Sequence, residues 1–342
     1  MNDETNDRIS RNMIETGGIS RRKVLRIGAG GAAGFAVLGP MARGGAFAQS
    51  TPLPTPKSGG TLVVGLQSEP SDNIDPAVTP WAVSHNIMMH VYDTLVWQDP
   101  ADGSFKPGLA DSWTAAPDGL SYTFKLKSGV TFHDGTVFDA AAVKWNFDRI
   151  ADPATKSGFA ANLLGPYASS QVVDPQTVTV TFKTAYAPFL DSASQAFLGM
   201  VSPAAVKKYG ADYGVKAAVG TGPFMFKEWV RADHLSLVKN PNYNWAGGVF
   251  LHNGPAYLDG ITFRFIQEDA TRSGTLQSGE TQVIELVPTS DIQTLKDSGF
   301  QIVPGKAPGI PTIVEINTAK APTDDIAVRK AINLGTDQKT II

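Results

Sequence analysis

Hydrophobic and polar residues alternate strictly in several short stretches of this chain. Over residues 121–127, Tyr122, Phe124 and Leu126 fall on one face, while Ser, Thr and Lys residues occupy the other. The same two-residue period recurs over residues 177–182 and 261–265. This period is typical of a β-strand with one buried face. The three stretches therefore predict strands, and residues 172–182 predict a hairpin.

Helical periodicity follows the first of these strands. Apolar residues at 143, 147 and 150 share one face of a predicted helix, and Asp139 is placed to cap its N-terminus. Gly129 and Gly135 supply turns between strand and helix, because glycine tolerates the positive φ that such turns need. A second helix is predicted over residues 83–92. The chain is therefore expected to contain both strands and helices.

Two more helix boundaries are predicted near residue 280. Gly279 is a suitable C-terminal cap for the helix that follows the strand at 261–265. Ser290 and Gln293 have the spacing of a capping box for a helix that reaches Lys296.

The first 48 residues differ from the rest of the chain. They carry seven basic and four acidic residues, and beyond them 22 basic and 28 acidic residues remain, a net charge of −6. Residues 20–25 (SRRKVL) resemble the twin-arginine export motif, an apolar stretch follows at 27–39, and 46–48 (AFA) form a small-x-small cleavage site. A membrane anchor is the competing interpretation, but about 13 apolar residues fall short of the roughly 20 that span a bilayer. We expect a cleaved signal peptide at 1–48 and a Pro/Gly-rich linker at 49–60.

The absence of cysteine from the sequence narrows the setting further. The protein has no disulfides and no cysteine for a lipid anchor, so we expect it to be free in the periplasm of a Gram-negative cell. The charges are spread without a basic stripe, so nucleic acid is not an expected partner.

The sequence contains no constellation of residues that is typical of an enzyme. It lacks the GxSxG, HExxH and GxxxxGK[ST] motifs, and its carboxylates are scattered. His85, His90 and His133 are interpreted as packed or solvated side chains, with His133 bonded to nearby backbone, so neither a metal nor a cofactor is expected. A periplasmic enzyme exported by the twin-arginine route stays open as the alternative class.

A long run of motifs resembles the family 5 extracellular solute-binding proteins, the dipeptide- and oligopeptide-binding class of ABC importers. The matching segments are 109–113 (LADSW), 118–119 (DG), 122–126 (YTFKL), 132–136 (FHDGT), 142–143 (AV), 220–224 (GTGPF) and 239–243 (KNPNY). Residues 312–318, expected as a strand, and the helix after Asp325 resemble later parts of the same family. Where the family has an acidic residue two positions after Gly-Glu, this chain has Gln282, a departure expected to remove a polar anchor.

The resemblance implies an α/β protein with the two-lobed periplasmic binding protein fold of the class II type. Residues 57–80 and 202–300 would form the core of lobe one, and residues 81–201 its subdomain. Residues 302–342 would begin lobe two. Family members are considerably longer, so lobe one is expected to be essentially complete and lobe two only begun in a C-terminally truncated chain.

Ligand-contacting positions come only from the resemblance. The cleft-facing loop falls on Thr79 and Trp81, with Pro80 in place of an acidic contact. The cleft tyrosine of the family falls on Phe159, which keeps the ring without the hydroxyl. Trp81 and Phe159 either face the cleft or pack in the core. The segment of Glu285, Leu286 and Val287 matches a stretch that approaches ligand, where backbone groups pair with an extended peptide.

The expected function is that of a non-enzymatic, monomeric periplasmic solute-binding subunit of an ABC importer. Its ligand would be a di- or oligopeptide, and its partners the inner-membrane permease and, during export, the twin-arginine translocase and signal peptidase. Nickel, haem, glutathione and oligosaccharide are the alternative solutes within the family.

Overall fold

The alternating stretches form the strands that the sequence predicts. The computed structural model describes residues 55–305 and 314–337, so the predicted signal peptide and the first part of the linker lie outside it. In chain order the strands are β1 (Thr61–Leu66), β2 (Val96–Gln98), β3 (Phe105–Pro107), β4 (Ala110–Ala115), β5 (Ser121–Leu126), β6 (Tyr167–Asp174), β7 (Thr177–Phe182), β8 (Phe224–Val230), β9 (His234–Lys239), β10 (Gly260–Phe265) and β11 (Val283–Ile284).

Helices are interspersed among these strands along the described chain. They are α1 (Ala82–Val91), α2 (Ala140–Ala151), α3 (Phe159–Leu164), α4 (Phe189–Ala193), α5 (Pro203–Tyr209), α6 (Asp269–Ser278), α7 (Ile292–Asp297) and α8 (Ile326–Gly335). No helix in residues 55–305 and 314–337 has both the length and the apolar character to span a membrane.

The larger sheet has five strands in the order β11-β1-β10-β9-β8. β1 runs parallel to both β10 and β11, while β8, β9 and β10 are antiparallel neighbours. Strands from residues 61–66 and from 224–284 therefore meet in one sheet. β1 comes first in the chain yet lies inside the sheet, between β11 and β10. Long connections separate it from both of these strands, as parallel pairing requires.

A second sheet of four antiparallel strands has the order β4-β5-β7-β6. Tyr122, Phe124 and Leu126 on β5 are buried, and so are the apolar residues of β7. Phe124 of β5 and Phe147 of α2 both contact the ring of Phe189. Each fully buried ring contributes about 1.5–3 kcal/mol relative to an exposed one, so the alternating pattern fixes which face of the sheet packs.

Local cues in the motif-rich block act as predicted. The Asp139 carboxylate accepts a hydrogen bond of 2.9 Å from the Ala142 amide and caps α2. Gly129 and Gly135 have φ angles of 75° and 81°, which residues with a Cβ rarely adopt. β6 and β7 form the predicted hairpin. Gly279, with φ 81°, ends α6 as expected.

Two local predictions are wrong. Residues 314–318 of the predicted strand at 312–318 form no strand, and the remaining two positions lie outside the described residues. A strand is held by ladder hydrogen bonds to a neighbour, and within the described chain no strand pairs with these residues. The capping box of Ser290 does not form either, because the Ser290 hydroxyl donates to Asp291 and α7 begins two residues later.

Candidate functional site

The loop before α1 is held from beneath by a buried threonine. Thr79 is fully buried, and its hydroxyl lies 3.1 Å from both Asp72 Oδ1 and Ser84 Oγ. The Trp81 amide donates to the same hydroxyl at 3.4 Å. Thr79 therefore fixes the path of the backbone that carries Trp81 into the helix.

The Trp81 side chain is open to solvent. It is 50% exposed, and its residue is the N-terminal cap of α1 in an extended conformation. Its carbonyl accepts from the amides of Ser84 and His85 in the first turn of the helix. Of the two interpretations of Trp81, its exposure favours the one in which the ring is available for contact.

Phe159 lies in a row of rings that leads to the start of α1, which Trp81 caps. The Phe159 and Phe197 ring centroids are 4.6 Å apart in an edge-on arrangement, and Phe197 lies 5.4 Å from the His85 ring. Trp81 is the extended N-cap of α1, and its carbonyl accepts from the His85 amide, so the two residues are neighbours at the start of the helix. We name Trp81, His85, Phe197 and Phe159 the aromatic row. Phe159 keeps 38% of its surface exposed, whereas Phe197 is buried beneath it.

Sequence reasoning interpreted His85 as a packed or solvated side chain and did not single out Phe197. The residues around Phe197 read as ordinary core, and nothing local joins them to α1, more than a hundred positions earlier. The spacing of Trp81 and His85 was the one available clue. Burial lowers the pKa of His85 below its ordinary value, so the imidazole is neutral at neutral pH.

The segment 285–287 contacts α1 beside this row. Glu285 Oε2 accepts from Asn86 Nδ2 at 3.0 Å, and Oε1 accepts from the Gln67 amide at 2.9 Å. Both carboxylate oxygens are thereby engaged. Leu286 is 64% exposed with φ at 49°, a strained value for a residue with a Cβ, and Val287 is half-buried.

A buried arginine that sequence reasoning also missed shapes this segment. Arg272 is fully buried, and its guanidinium donates to the carbonyls of Glu285 (3.0 Å) and Leu286 (2.9 Å) and to Asp269 at 2.6 Å. A buried guanidinium must satisfy its donors, so it draws these carbonyls inward. The Glu285 amide donates to Gly65. These carbonyl and amide groups are already hydrogen-bonded within the protein. Fewer backbone groups of the segment therefore remain for the expected pairing with a peptide backbone.

The substitution at Gln282 does not remove the expected polar anchor. Gln282 Oε1 accepts from the Val63 amide at 2.9 Å, and its Nε2 donates to the Gly279 carbonyl at 2.9 Å. The amide thus joins the end of α6 to β1. The expectation of a lost anchor is wrong because an amide can accept and donate at once, which an ionised carboxylate cannot do.

His133 bonds to distant backbone rather than to its own turn. Its Nε2 lies 2.9 Å from the Gly222 carbonyl, and its Nδ1 lies 3.3 Å from the Gly220 amide. Burial lowers the pKa of His133 to about 4, so the ring is neutral and uses one nitrogen as donor and the other as acceptor. The two strongest motif blocks, 132–136 and 220–224, therefore hold each other.

Asp93 is a buried carboxylate at the far end of α1. Its oxygens accept from Thr221 Oγ1 at 2.9 Å, Trp245 Nε1 at 3.1 Å and the Tyr243 hydroxyl at 3.3 Å. Burial raises the pKa of Asp93 to about 6, against the opposing effect of these donors and Lys127. Its role is structural, because it joins the segments 220–224 and 243–245 to α1.

A metal centre is not formed by these groups. Within residues 55–305 and 314–337, no cluster of three or more His, Asp or Glu side chains is placed to hold an ion. A cavity of about 430 Å³ lies beside the buried Asp75–Arg149 ion pair, and a second of about 340 Å³ is lined by Trp145 and Val137. Neither cavity is lined by residues of the aromatic row.

The chain matches known solute-binding proteins over most of its length. Residues 104–342 match the model of the bacterial extracellular solute-binding proteins, family 5, middle. The glutathione-binding protein GsiB of Escherichia coli K12 is 33% identical over 270 residues, which cover 79% of this chain and 51% of that protein. This chain belongs to family 5 of the bacterial extracellular solute-binding proteins, and the resemblance found in its motifs is confirmed.

Solved structures give the same fold. The periplasmic binding protein DppA of Helicobacter pylori, in complex with the peptide STSA, matches with a TM-score of 0.68 and 26% identity over 84% of this chain and 58% of that one. AgaA of A. tumefaciens R10, in complex with agropinic acid, matches with a TM-score of 0.61 and 31% identity over 70% and 46%. The expected α/β periplasmic binding protein fold is confirmed. The chain spans about half the length of the curated relatives it matches.

Proposed function

We propose that this chain belongs to the periplasmic solute-binding component of an ABC importer. The component captures a di- or oligopeptide, or a related small solute, between two lobes and delivers it to an inner-membrane permease. A solute that contacts both lobes stabilises the closed state, and the permease recognises closure. The protein acts as a binder without turning the solute over.

The observation that carries this proposal is the exposure of Trp81 and Phe159, the two ends of the aromatic row, and of Leu286. Exposed apolar side chains that cluster, rather than lie scattered singly, mark a binding surface. Trp81, Phe159 and Leu286 come from three distant parts of the chain, yet all three lie near the start of α1. Trp81 is the N-cap of this helix, Phe159 packs on Phe197, which contacts His85, and Leu286 follows Glu285, which is bonded to Asn86. These are the positions at which the family resemblance places ligand.

The six predicted site residues take different roles in this proposal. Trp81, Phe159 and Leu286 contact the solute through exposed side chains. Thr79 and Glu285 hold neighbouring residues in place. Thr79 is buried beneath Trp81, and Glu285 is bonded to Gln67 and Asn86. Val287 contributes its remaining surface next to Leu286.

The domain plan and the export route belong to the same proposal. Lobe one would consist of residues 57–80 and 202–300 with the subdomain 81–201, and lobe two would begin at 302. A twin-arginine signal at 1–48 would bring a monomer to the periplasm, where signal peptidase releases it. Support comes from the motif at 20–25 and from the family, whose members named above include a periplasmic binding protein.

Glutathione is the second candidate solute. The curated relatives named as glutathione-binding proteins are 33% identical to this chain over 79% of its length. Glutathione is itself a modified tripeptide, so it requires no different mode of capture.

The proposal is tested by weighing what the protein carries. Full-length protein purified gently from periplasm is examined by native mass spectrometry, and the identified solute is added back in a thermal-shift titration. We expect a bound peptide or glutathione, saturable stabilisation, and unchanged solute after prolonged incubation. Product formation would contradict the binding role. A bound metal complex or sugar would be consistent with the importer role but would show that the solute is not a peptide.

A further inference from the structure

The loop from residue 240 to residue 259, between β9 and β10, contains the one Asn-Gly pair of the sequence. Asn253 is exposed, and Leu251 two positions earlier keeps 92% of its surface exposed, so solvent reaches this part of the loop. An asparagine followed by glycine can react with its own backbone, because the next amide nitrogen reaches the side-chain carbon and glycine has no Cβ to obstruct it. The pair is therefore a candidate for covalent chemistry that the solute-binding role does not use.

The backbone at Gly254 has a shape that requires glycine. Its φ angle is 132°, and a Cβ at this position would lie 3.3 Å from His252 Nε2. The imidazole of His252 is itself held in place, since Nε2 lies 3.0 Å from the Pro255 carbonyl oxygen and Nδ1 lies 3.2 Å from the Tyr257 hydroxyl. These contacts fix the turn that presents the Gly254 amide nitrogen next to the Asn253 side chain.

The three groups that would react are each in a suitable state. Asn253 Oδ1 accepts a hydrogen bond of 3.1 Å from the Ala246 amide. An N–H group aimed at this oxygen stabilises the negative charge that develops on it when the adjacent carbon is attacked. Within the described part of the chain, neither Asn253 Nδ2 nor the Gly254 amide nitrogen has a hydrogen-bond partner. The leaving group and the nucleophile are therefore both unengaged.

We propose that Asn253 is a site of spontaneous covalent modification, at which the side-chain amide is converted to an acid. The Gly254 nitrogen gives up its proton to solvent and forms a bond to Asn253 Cγ. The bond from Cγ to Nδ2 then breaks, and Nδ2 takes up a proton and leaves as ammonia. Water opens the resulting five-membered cyclic imide at either carbonyl, which yields an aspartyl or an isoaspartyl residue. The electrons balance without an oxidant or a reductant.

The modification changes the exposed loop more than its buried base. Both products carry a carboxylate, so the loop gains a negative charge, and the isoaspartyl form also adds a methylene to the main chain at residue 253. The base of the loop is held separately, because Lys127 Nζ donates to the carbonyls of Trp245 and Ala246 and the Trp245 indole donates to buried Asp93. We expect the modified protein to stay folded, with an altered loop.

The test follows the full-length protein over time at pH 8 by peptide mapping with mass spectrometry. We expect Asn253 to be converted to a mixture of aspartyl and isoaspartyl forms, which enzymatic methylation of isoaspartyl residues distinguishes. Asn244 is the matched internal control, because it is exposed in the same loop but precedes Trp245 instead of a glycine. Asn253 should react at least about tenfold faster than Asn244, which corresponds to a barrier lower by about 1.4 kcal/mol.

The contribution of the fold is measured on the same chain unfolded in guanidinium chloride. The folded protein should react at Asn253 at least as fast as the unfolded chain, because only the fold brings the Ala246 amide to Oδ1. Gly254→Ala should slow the reaction by at least about tenfold, since its methyl group crowds the attacking nitrogen. If Gly254→Ala does not fold, Asn253→Gln takes its place, because its longer side chain would have to close a larger ring.

Three outcomes overturn the inference, and none of them bears on the proposed function. Equal rates at Asn253 and Asn244 show that the Asn-Gly pair confers no special reactivity. A slower reaction in the folded protein than in the unfolded chain shows that the fold protects Asn253. An unchanged rate in Gly254→Ala, or in Asn253→Gln where that variant is used, shows that the acid arises by direct hydrolysis and not through the cyclic imide.

Discussion

Single buried polar groups carry much of the specificity of this fold. Asp93 and Arg272 are both shielded from solvent. Each forms hydrogen bonds with groups of other segments, some of them distant along the chain. Asp93 gathers Thr221, Tyr243 and Trp245. A buried group of this kind costs free energy unless it is fully bonded, so it specifies which segments must meet.

Replacing Asp93 should remove a pH dependence of stability. The pKa of Asp93 is about 6 in the folded protein against an ordinary 3.8, so between pH 4 and pH 6 the folded state binds more protons than the unfolded state. The contribution of Asp93 to the free energy of unfolding therefore falls as pH rises through that window. Relative to Asp93→Asn, the wild type should lose roughly 2–3 kcal/mol between pH 4 and pH 7.

Asparagine is the suitable replacement, because its oxygen can accept from Thr221 and Trp245 while its amide donates to the Tyr243 hydroxyl. Urea unfolding of both proteins across this range measures the difference. Parallel pH profiles would show that Asp93 does not titrate within the window.

At the scale of elements, α2 shows how local sequence and packing act together. Its N-terminus is fixed by the Asp139 carboxylate, and its buried side carries Val143, Phe147 and Ile150. The first turn of a helix has amides without partners inside the helix, and a side-chain cap satisfies one of them.

Asp139→Ala should destabilise the protein by about 1 kcal/mol, within a range of about 0.5–2 kcal/mol for such caps. The hydrogen bond to the Ala142 amide is lost, while the packing of the helix is untouched. Asp139→Asn is the control and should stay within a few tenths of the wild type. Urea denaturation at one pH measures both, and equal losses in the two variants would point to charge rather than to capping.

At the scale of the whole molecule, a buried ion pair joins two distant parts of the chain. Arg149 near the end of α2 contacts Asp75 in the loop that leads to Trp81, with Nη1 and Oδ1 3.0 Å apart. The side chains are 14% and 4% exposed. The chain runs from Asp75 to Trp81 and from the end of α2 to Phe159. The ion pair therefore holds together the two segments that lead to the ends of the aromatic row.

Arg149→Met should lower the free energy of unfolding by about 3–5 kcal/mol, because it leaves the Asp75 carboxylate buried and unpaired. Asp75→Asn should be costly for the same reason. The double variant should lose clearly less than the sum of the two, since it leaves no unpaired charge. A double-mutant cycle by urea denaturation measures the coupling, and strictly additive losses would show that the pair is not energetically linked.

The sequence by itself determined the elements whose causes are local. The alternation in Ser121–Leu126 and Thr177–Phe182, the Asp139 cap and the glycine turns depend on residues a few positions apart, so they could be recognised without the fold. The motifs of 109–150 also determined the family. The strand expected at 312–318 was wrong in its described part because a strand depends on a neighbour as well as on its own residues.

Only the tertiary structure decided which side chains are open to a solute and which support them. The sequence left both core and cleft open for Trp81 and Phe159, and it offered no reason to connect Phe197 with His85 or Arg272 with Leu286. Exposure and pairing depend on contacts between residues as far as 219 positions apart, as for Gln282 with Val63. Such contacts form only when packing brings separate elements together, so no local pattern records them.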